Sequence, residues 1–453
     1  MLQNRRSFLT SAAALAAAPA AAAAPRRPNF IVVMCDDLGY GDIGAFGGAI
    51  PTPNIDRLAR SGVGLTDYYA PANLCTPSRA GVLTGRYPIR TGLARGVIMQ
   101  TDQRALPLSE VTMAEALKPE YATALIGKWH LGHTAPSWPP TQHGFDLFYG
   151  LPYSHDMLPL SLYESRPGVE LIREDVDYPQ LQQRFYARAE RFITDNAARP
   201  FLLNLWLSAP HLPNFPDHAH AGHTDFGLYG DTVSEIDGVM GRLTDLLARL
   251  GLTRDTLVIF TSDNGPWFEG SSGPLRARKG GAGYDGGYRV PCIASQPGVI
   301  AAGRRSSAIA MGIDLLPTFC AMAGKPLPSG VTIDGRDLSK VLTRGAPTPH
   351  DELLLFNEED VVAVRTQGWK YVAADHYRTV LLDIRNDGYP QLYDMRSDPA
   401  ESYSLAARHP AILRDMVARL DGARRTFDPL RTSPRSDIIT RPGPRAVPEP
   451  FRD

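Results

Sequence analysis

Asn29-Phe30-Ile31-Val32-Val33-Met34-Cys35-Asp36-Asp37 is an unbroken apolar run, partly β-branched, that stops on two carboxylates. A run without polar alternation has no solvent face, so it reads as a strand buried on both sides, as in a parallel sheet covered by helices. Three other stretches repeat the pattern. Thr256–Gly265 (TLVIFTSDNG) ends in Asp263 and Asn264, Tyr121–Gly132 (YATALIGKWHLG) ends through Lys128 and His130, and Pro200–Pro213 (PFLLNLWLSAPHLP) ends at His211. Four apolar strands thus deliver polar groups at their C-terminal ends, where open α/β sheets carry their sites.

Helical patterns separate these runs. Thr52–Gly62 offers a capping Thr and a Gly stop. Asp231–Leu250 places Val233, Ile236, Val239, Met240, Leu243, Leu246 and Leu247 at three-four spacing, an amphipathic helix. Alternating strands and helices predict an α/β fold with a large mixed or parallel central sheet flanked by helices. After about Pro347 the texture changes to short alternating strands (Glu352–Ala374) and a helix from Pro410 to Phe427. The expected organisation is a catalytic α/β domain over 25–345, a smaller α+β subdomain over 346–432, and an extended Pro/Arg-rich tail over 433–453.

The chain has 453 residues, 43% hydrophobic and 21% charged, with 47 basic and 48 acidic side chains for a formal net charge of -1. This balance gives no global surface for nucleic acid or another long polyanion, though a local anion pocket is compatible with it. Residues 1–24 carry Arg5 and Arg6 ahead of an Ala-rich apolar run, the pattern of a twin-arginine signal peptide. Periplasmic or secreted location, passage through the twin-arginine translocon and no stable membrane anchor are therefore expected. Cys35, Cys75, Cys292 and Cys320 are too few for a disulfide scaffold and form no CxxC pair. Cys35, Cys292 and Cys320 read as small buried apolar residues.

Cys75 reads differently. In Cys75-Thr76-Pro77-Ser78-Arg79, Pro77 restricts Thr76, and Ala80–Leu83 then looks helical. A cysteine near a helix start lies beside unpaired N–H groups that favour an anion. Its side chain is expected to face solvent in a site. Asp36, Asp37, Asp263 and Asn264 offer only oxygen ligands, which suit calcium or magnesium and not zinc. Positive groups converging with a cation (Lys128, His130, His211, Lys279) would neutralise a tetrahedral oxyanion. Taken singly, each Asp is also compatible with a turn or cap, each His with a structural hydrogen bond, and each Lys with a solvated surface charge.

The CTPSR segment followed by AGVLTGR resembles the signature of type I sulfatases of the alkaline-phosphatase-like superfamily, in which this cysteine becomes Cα-formylglycine. GKWHLG (Gly127–Gly132), the Asp36-Asp37 pair, APHLP, SDNG, GLPYSHD and LYDMRSDPAE are similar to other parts of that family, in its order. The resemblance implies one calcium, with magnesium as the variant, held by Asp36, Asp37, Asp263, Asn264 and the modified Cys75 side chain. It also implies an aldehyde hydrate whose hydroxyl attacks sulfur, releasing an alcohol and then sulfate. Arg79 would orient the hydrate, and His130 would help break down the sulfated intermediate. Lys128, His211, Lys279 and Ser154 would bind sulfate or assist the leaving alcohol. The implied partners are a small-molecule or saccharide sulfate ester and a formylglycine-generating enzyme.

The chain departs from the family at one place. The family's loop lysine is followed five residues later by Glu, whereas Lys279 is followed six residues later by Asp285. The extra residue either is absorbed by the surrounding glycines or shifts Lys279, in which case Arg276 or Arg278 takes its place. Two other readings remain at this stage: a phosphate or phosphonate ester hydrolase of the same superfamily, and a non-catalytic anion-binding relative. Trp267 and Phe268 read equally as an apolar wall for an aromatic or sugar leaving group and as loop packing.

Overall fold

A computed structural model describes residues 27–377, 380–382 and 390–433; the expected signal peptide and tail positions 434–453 lie outside the described residues. Ten strands form one mixed sheet: β1 (Asn29–Cys35), β2 (Val63–Leu65), β3 (Ala122–Lys128), β4 (Leu147–Leu151), β5 (Leu162–Ser165), β6 (Ile172–Glu174), β7 (Phe201–Trp206), β8 (Thr256–Ser262), β9 (Cys292–Ser295) and β10 (Arg304–Ser306). Their spatial order is β10-β2-β9-β8-β1-β7-β3-β4-β5-β6. The four apolar runs of the sequence are contiguous neighbours, β8-β1-β7-β3, and all three pairings are parallel. Antiparallel strands close both flanks, with β9 on β8 and β5 on β4.

Both faces of β1 are covered, which is why the run tolerates no polar residue. Ile31, Val33 and Cys35 join the core under helices α1 (Pro53–Arg60), α3 (Leu181–Asp195) and α4 (Gly227–Arg249). Phe30, Val32 and Met34 join the opposite core, under α2 (Cys75–Thr84) and α5 (Leu315–Ala323). A second, four-stranded antiparallel sheet, β11 (Leu353–Asn357), β12 (Asp360–Arg365), β13 (Trp369–Val372) and β14 (Gln391–Asp394), packs with α6 (Pro410–Phe427). Among the described residues, no helix is long and apolar enough to cross a membrane.

Several local expectations need correction. Thr52 precedes α1, but its hydroxyl donates to Asp56 and accepts from the Gly44 N–H instead of capping the helix. Helix α4 starts a turn before Asp231, at Gly227, since glycines in the first turn hide it from a periodicity reading. Asp231 instead binds the preceding loop through the Gly222 and Thr224 N–H groups. Helix α2 starts at Cys75 and includes Thr76, because Pro77 in the first turn lacks only an N–H that has no helical acceptor there.

Candidate active site

The cluster sits at the C-terminal ends of the four central strands. Directly after β1, Asp36 and Asp37 turn the chain, with Asp37 held at a left-handed φ of 67°. Its N–H donates to Asp263 Oδ1 at 3.2 Å, tying the end of β1 to the end of β8. A non-glycine residue in that conformation stores local strain, which is sustained where surrounding contacts dictate the geometry. Asn264 donates from Nδ2 to Asp37 Oδ1 at 2.7 Å, while its own Oδ1 is buried without a hydrogen-bond partner.

Helix α2 is buried along its whole length and brings Cys75 and Arg79 beneath these carboxylates. The expectation that Cys75 faces solvent is wrong: the residue is 1% exposed. Helices on this face seal the strand ends, and burial pushes the thiol pKa well up despite the opposing pull of Lys128 and Lys279. Cys75 Sγ lies 3.5 Å from Asp36 Oδ1. Arg79 is fully buried and donates from Nε to Asp263 Oδ2 at 2.9 Å and from Nη1 to the Lys128 carbonyl at 2.8 Å. Its charge is matched, which a buried guanidinium requires.

Lys128 ends β3 and donates to Asp36 Oδ2. Burial raises the Asp36 pKa, but Lys128, His211, Arg79 and Lys279 together bring it well below the carboxylate range. Asp263 goes the other way, to about 7, through burial and the neighbouring Asp36 charge. His130 is not at the strand end but two residues past it, at φ 59°. Its Nε2 lies 3.0 Å from the Ile98 carbonyl, so this nitrogen carries the hydrogen, and Nδ1 is buried with no partner. Burial, then Lys128 and Arg79, hold its pKa well below the ordinary value, so the imidazole is neutral.

His211 likewise does not end its strand. It lies five residues beyond Trp206, in the loop after β7, with Nε2 3.6 Å from Asp37 Oδ2. Lys279 reaches the same oxygen at 2.7 Å. Ligand atoms of Asp36, Asp37, Cys75 and His211 all lie within 4.8 Å of one another. Ser154 is buried in the turn after β4. Its neighbour His155, which sequence reasoning passed over, stands edge-on to His211 with ring centroids 5.6 Å apart. Burial and His211 lower its pKa to about 4. The one signal for His155 was its place beside Ser154 in the PYSHD segment.

The irregular loop is resolved by its contacts. Arg278 spends its guanidinium on the carbonyls of Trp267, Phe268 and Gly270. Arg276 lies over the Tyr284 ring at 3.9 Å and donates to the Glu401 carbonyl. Of the three basic residues, Lys279 alone contacts the carboxylate cluster. Ala277, Gly280 and Gly283 of this loop adopt positive φ. Asp285 points away from the cluster and pairs with Lys370 of β13 and Tyr69.

Comparison with known proteins gives the family. The family model described as Sulfatase matches residues 28–325. Human (Homo sapiens) arylsulfatase A is 36% identical over 479 residues, covering 92% of this chain and 94% of the human protein. Steryl-sulfatase of Mus musculus is 35% identical, covering 88% of this chain and 82% of the mouse protein. Among solved structures, PsFucS1 sulfatase from Pseudoalteromonas sp. superposes with a TM-score of 0.82 at 30% identity, covering 90% of this chain and 92% of that one.

Proposed function

The chain belongs to the sulfatase family, and from that premise we propose that it hydrolyses sulfate monoesters with a Cα-formylglycine made from Cys75 and one divalent cation. Sulfatase activity on sulfate esters follows from the family and its relatives. The observation that carries the finer reading is the place of Cys75. It opens a buried helix within the same 4.8 Å cluster as Asp36, Asp37 and His211, flanked by Arg79 and Lys128.

The residues present fit a hard cation. Asp36 and Asp37 bring carboxylate oxygens into the 4.8 Å group, Asp263 and Asn264 adjoin it through hydrogen bonds with Asp37, and the unpartnered Asn264 Oδ1 is a buried acceptor that a cation would satisfy. Calcium, or magnesium in its place, suits this donor set. When present, the cation and the hydrated aldehyde would supply an activated hydroxyl and polarise a sulfate oxygen.

The rest is assigned to the chain's own side chains. Arg79 fixes Asp263 and the Lys128 carbonyl and is assigned to orient the hydrate. Lys128 and Lys279 neutralise Asp36 and Asp37 and face the developing negative charge of the sulfuryl group. His130 has the only unshared ring nitrogen of its neutral imidazole at Nδ1, the atom suited to take a proton during breakdown of the intermediate. His211 Nε2 and Lys279 Nζ, both at Asp37 Oδ2, are placed to bind sulfate or protonate the departing alcohol, and Ser154 is assigned to sulfate contact.

A formylglycine-generating enzyme is the implied maturation partner, and Arg5-Arg6 supports export through the twin-arginine translocon to the periplasm or medium. Mass spectrometry of the Cys75 peptide tests the reading directly. Conversion lowers the mass by about 18 Da relative to the thiol. Cys75→Ala should lower aryl sulfate turnover by at least ~10³-fold. An unmodified thiol in fully active enzyme, or faster cleavage of 4-nitrophenyl phosphate than of 4-nitrophenyl sulfate, would refute it.

A further inference from the structure

We propose that Asn73 is a positioning residue for the reaction: its amide, oriented by Asn357 of the second sheet, holds the Lys279 backbone at a fixed place relative to Cys75. The inference rests on the sulfate-ester reading and on the assignment of Lys279 to sulfate, and adds the residue that aims this lysine.

Lys279 stands at the head of Lys279-Gly280-Gly281-Ala282-Gly283, whose glycines give the backbone little conformational preference of its own. Bonds to other segments must therefore set where the lysine points. The Lys279 N–H donates to the Pro266 carbonyl at 3.0 Å. The Gly280 N–H donates to the Asn73 carbonyl at 3.0 Å, and Asn73 Nδ2 donates to the Gly281 carbonyl at 3.0 Å. Asn73 thus grips the chain on a donor and on an acceptor within two residues of Lys279. It also lies two residues before Cys75, at the entry to α2. The lysine and the nucleophile position are held by the same short segment.

The amide has a defined orientation. Its Nδ2 faces two acceptors, the Gly281 carbonyl and Asn357 Oδ1 at 3.1 Å, and the two N–H groups of a carboxamide serve both. The reversed amide would set oxygen against the Gly281 carbonyl, which can only accept. Asn73 is 1% exposed, so water would not relieve that mismatch. The contact is packed as well as bonded: a Cβ at Gly287 would stand 2.9 Å from the Arg278 carbonyl and 3.4 Å from Asn73 Cβ.

Asn357 is the last residue of β11, 284 positions along the chain from Asn73. Through it the C-terminal sheet orients a side chain at the mouth of α2. The side-chain bonds of Asn73 run to the loop and to this sheet, so its effect on the reaction passes through Lys279.

The test is a double-mutant cycle on mature enzyme. Rates are divided by the aldehyde content at position 75 from mass spectrometry, because Asn73 adjoins the residue that is converted. We expect Asn73→Ala to lower kcat/KM for 4-nitrophenyl sulfate about tenfold and to weaken inhibition by inorganic sulfate about fivefold, as a misplaced charge would. In a Lys279→Ala background the same substitution should lower kcat/KM by less than about twofold. Asn357→Ala should lower it about threefold alone and no further beside Asn73→Ala. Its side chain is less buried, so it runs the same cycle with Lys279→Ala should Asn73→Ala fail to fold. A merely structural residue would lower the rate with the sulfate Ki unchanged, or multiply its loss with that of Lys279→Ala; either result overturns the proposal and leaves the role of Lys279 standing. A fully active Lys279→Ala enzyme overturns it by refuting the sulfate assignment beneath it.

Discussion

Replacing Lys279 by alanine isolates one charge in the cluster. Its Nζ donates to Asp37 Oδ2 at 2.7 Å, and the side chain is 10% exposed, so water does not screen it as it would a surface lysine. Burial disfavours the charge, yet Cys75, Asp37 and Asp36 raise its pKa, so it is a cation throughout the working range. A unit charge about 4 Å from a developing oxyanion, at an effective dielectric near 20, is worth ~4 kcal/mol. Asp37 shares that charge, which leaves roughly 2–4 kcal/mol, or about 30- to 1,000-fold in kcat/KM. Steady-state kinetics on 4-nitrophenyl sulfate should show this loss for Lys279→Ala. Arg276→Ala should change kcat/KM less than about threefold and lower Tm instead, since its partners are Tyr284, Tyr393 and Glu401. A nearly silent Lys279→Ala beside a crippled Arg276→Ala or Arg278→Ala would show that the wrong basic residue has been assigned to sulfate.

Chelation should lower Tm and readdition of calcium should restore it, by about 2.7 kcal/mol of stability at a hundred times Kd; stoichiometric zinc in protein from rich medium would contradict the oxygen-donor argument. Glu235 is fully buried, and burial raises its pKa from 4.5 to about 7, partly offset by Gln183 and the Asp217 N–H. Its ionisation penalty is absent below the unfolded pKa and grows as pH rises to the folded one. Glu235→Gln should therefore gain stability relative to wild type between pH 5 and 8, by up to ~3 kcal/mol in urea unfolding; a pH-independent difference would exclude this. Lys370→Met leaves Glu401 buried without a cation, while Asp285 keeps Arg289 and Tyr69, so a loss of about 3 kcal/mol is expected by denaturant titration.

The four central strands were legible in the sequence because burial on both faces leaves a local mark: an unbroken apolar run that ends where the sheet ends. Asp36, Asp37, Asp263 and Asn264 were legible for the same reason, as the first polar residues past the apolar runs, although they too are buried. The CTPSR and GKWHLG segments marked Cys75, Arg79, Lys128 and His130 through a family resemblance. What tertiary structure alone decided is which groups face one another. Sequence spacing gives no distance between Lys279 and Asp37, 242 residues apart, and Lys279 was preferred over Arg276 and Arg278 only through the family resemblance. That choice depends on positive-φ residues in a loop without periodicity, and on carbonyls of a neighbouring loop that occupy Arg278. The burial of Cys75, the place of His155 and the diversion of Asp285 to Lys370 share this origin. Each is set by packing between segments far apart in the chain, where periodicity and propensity, being local, carry no information.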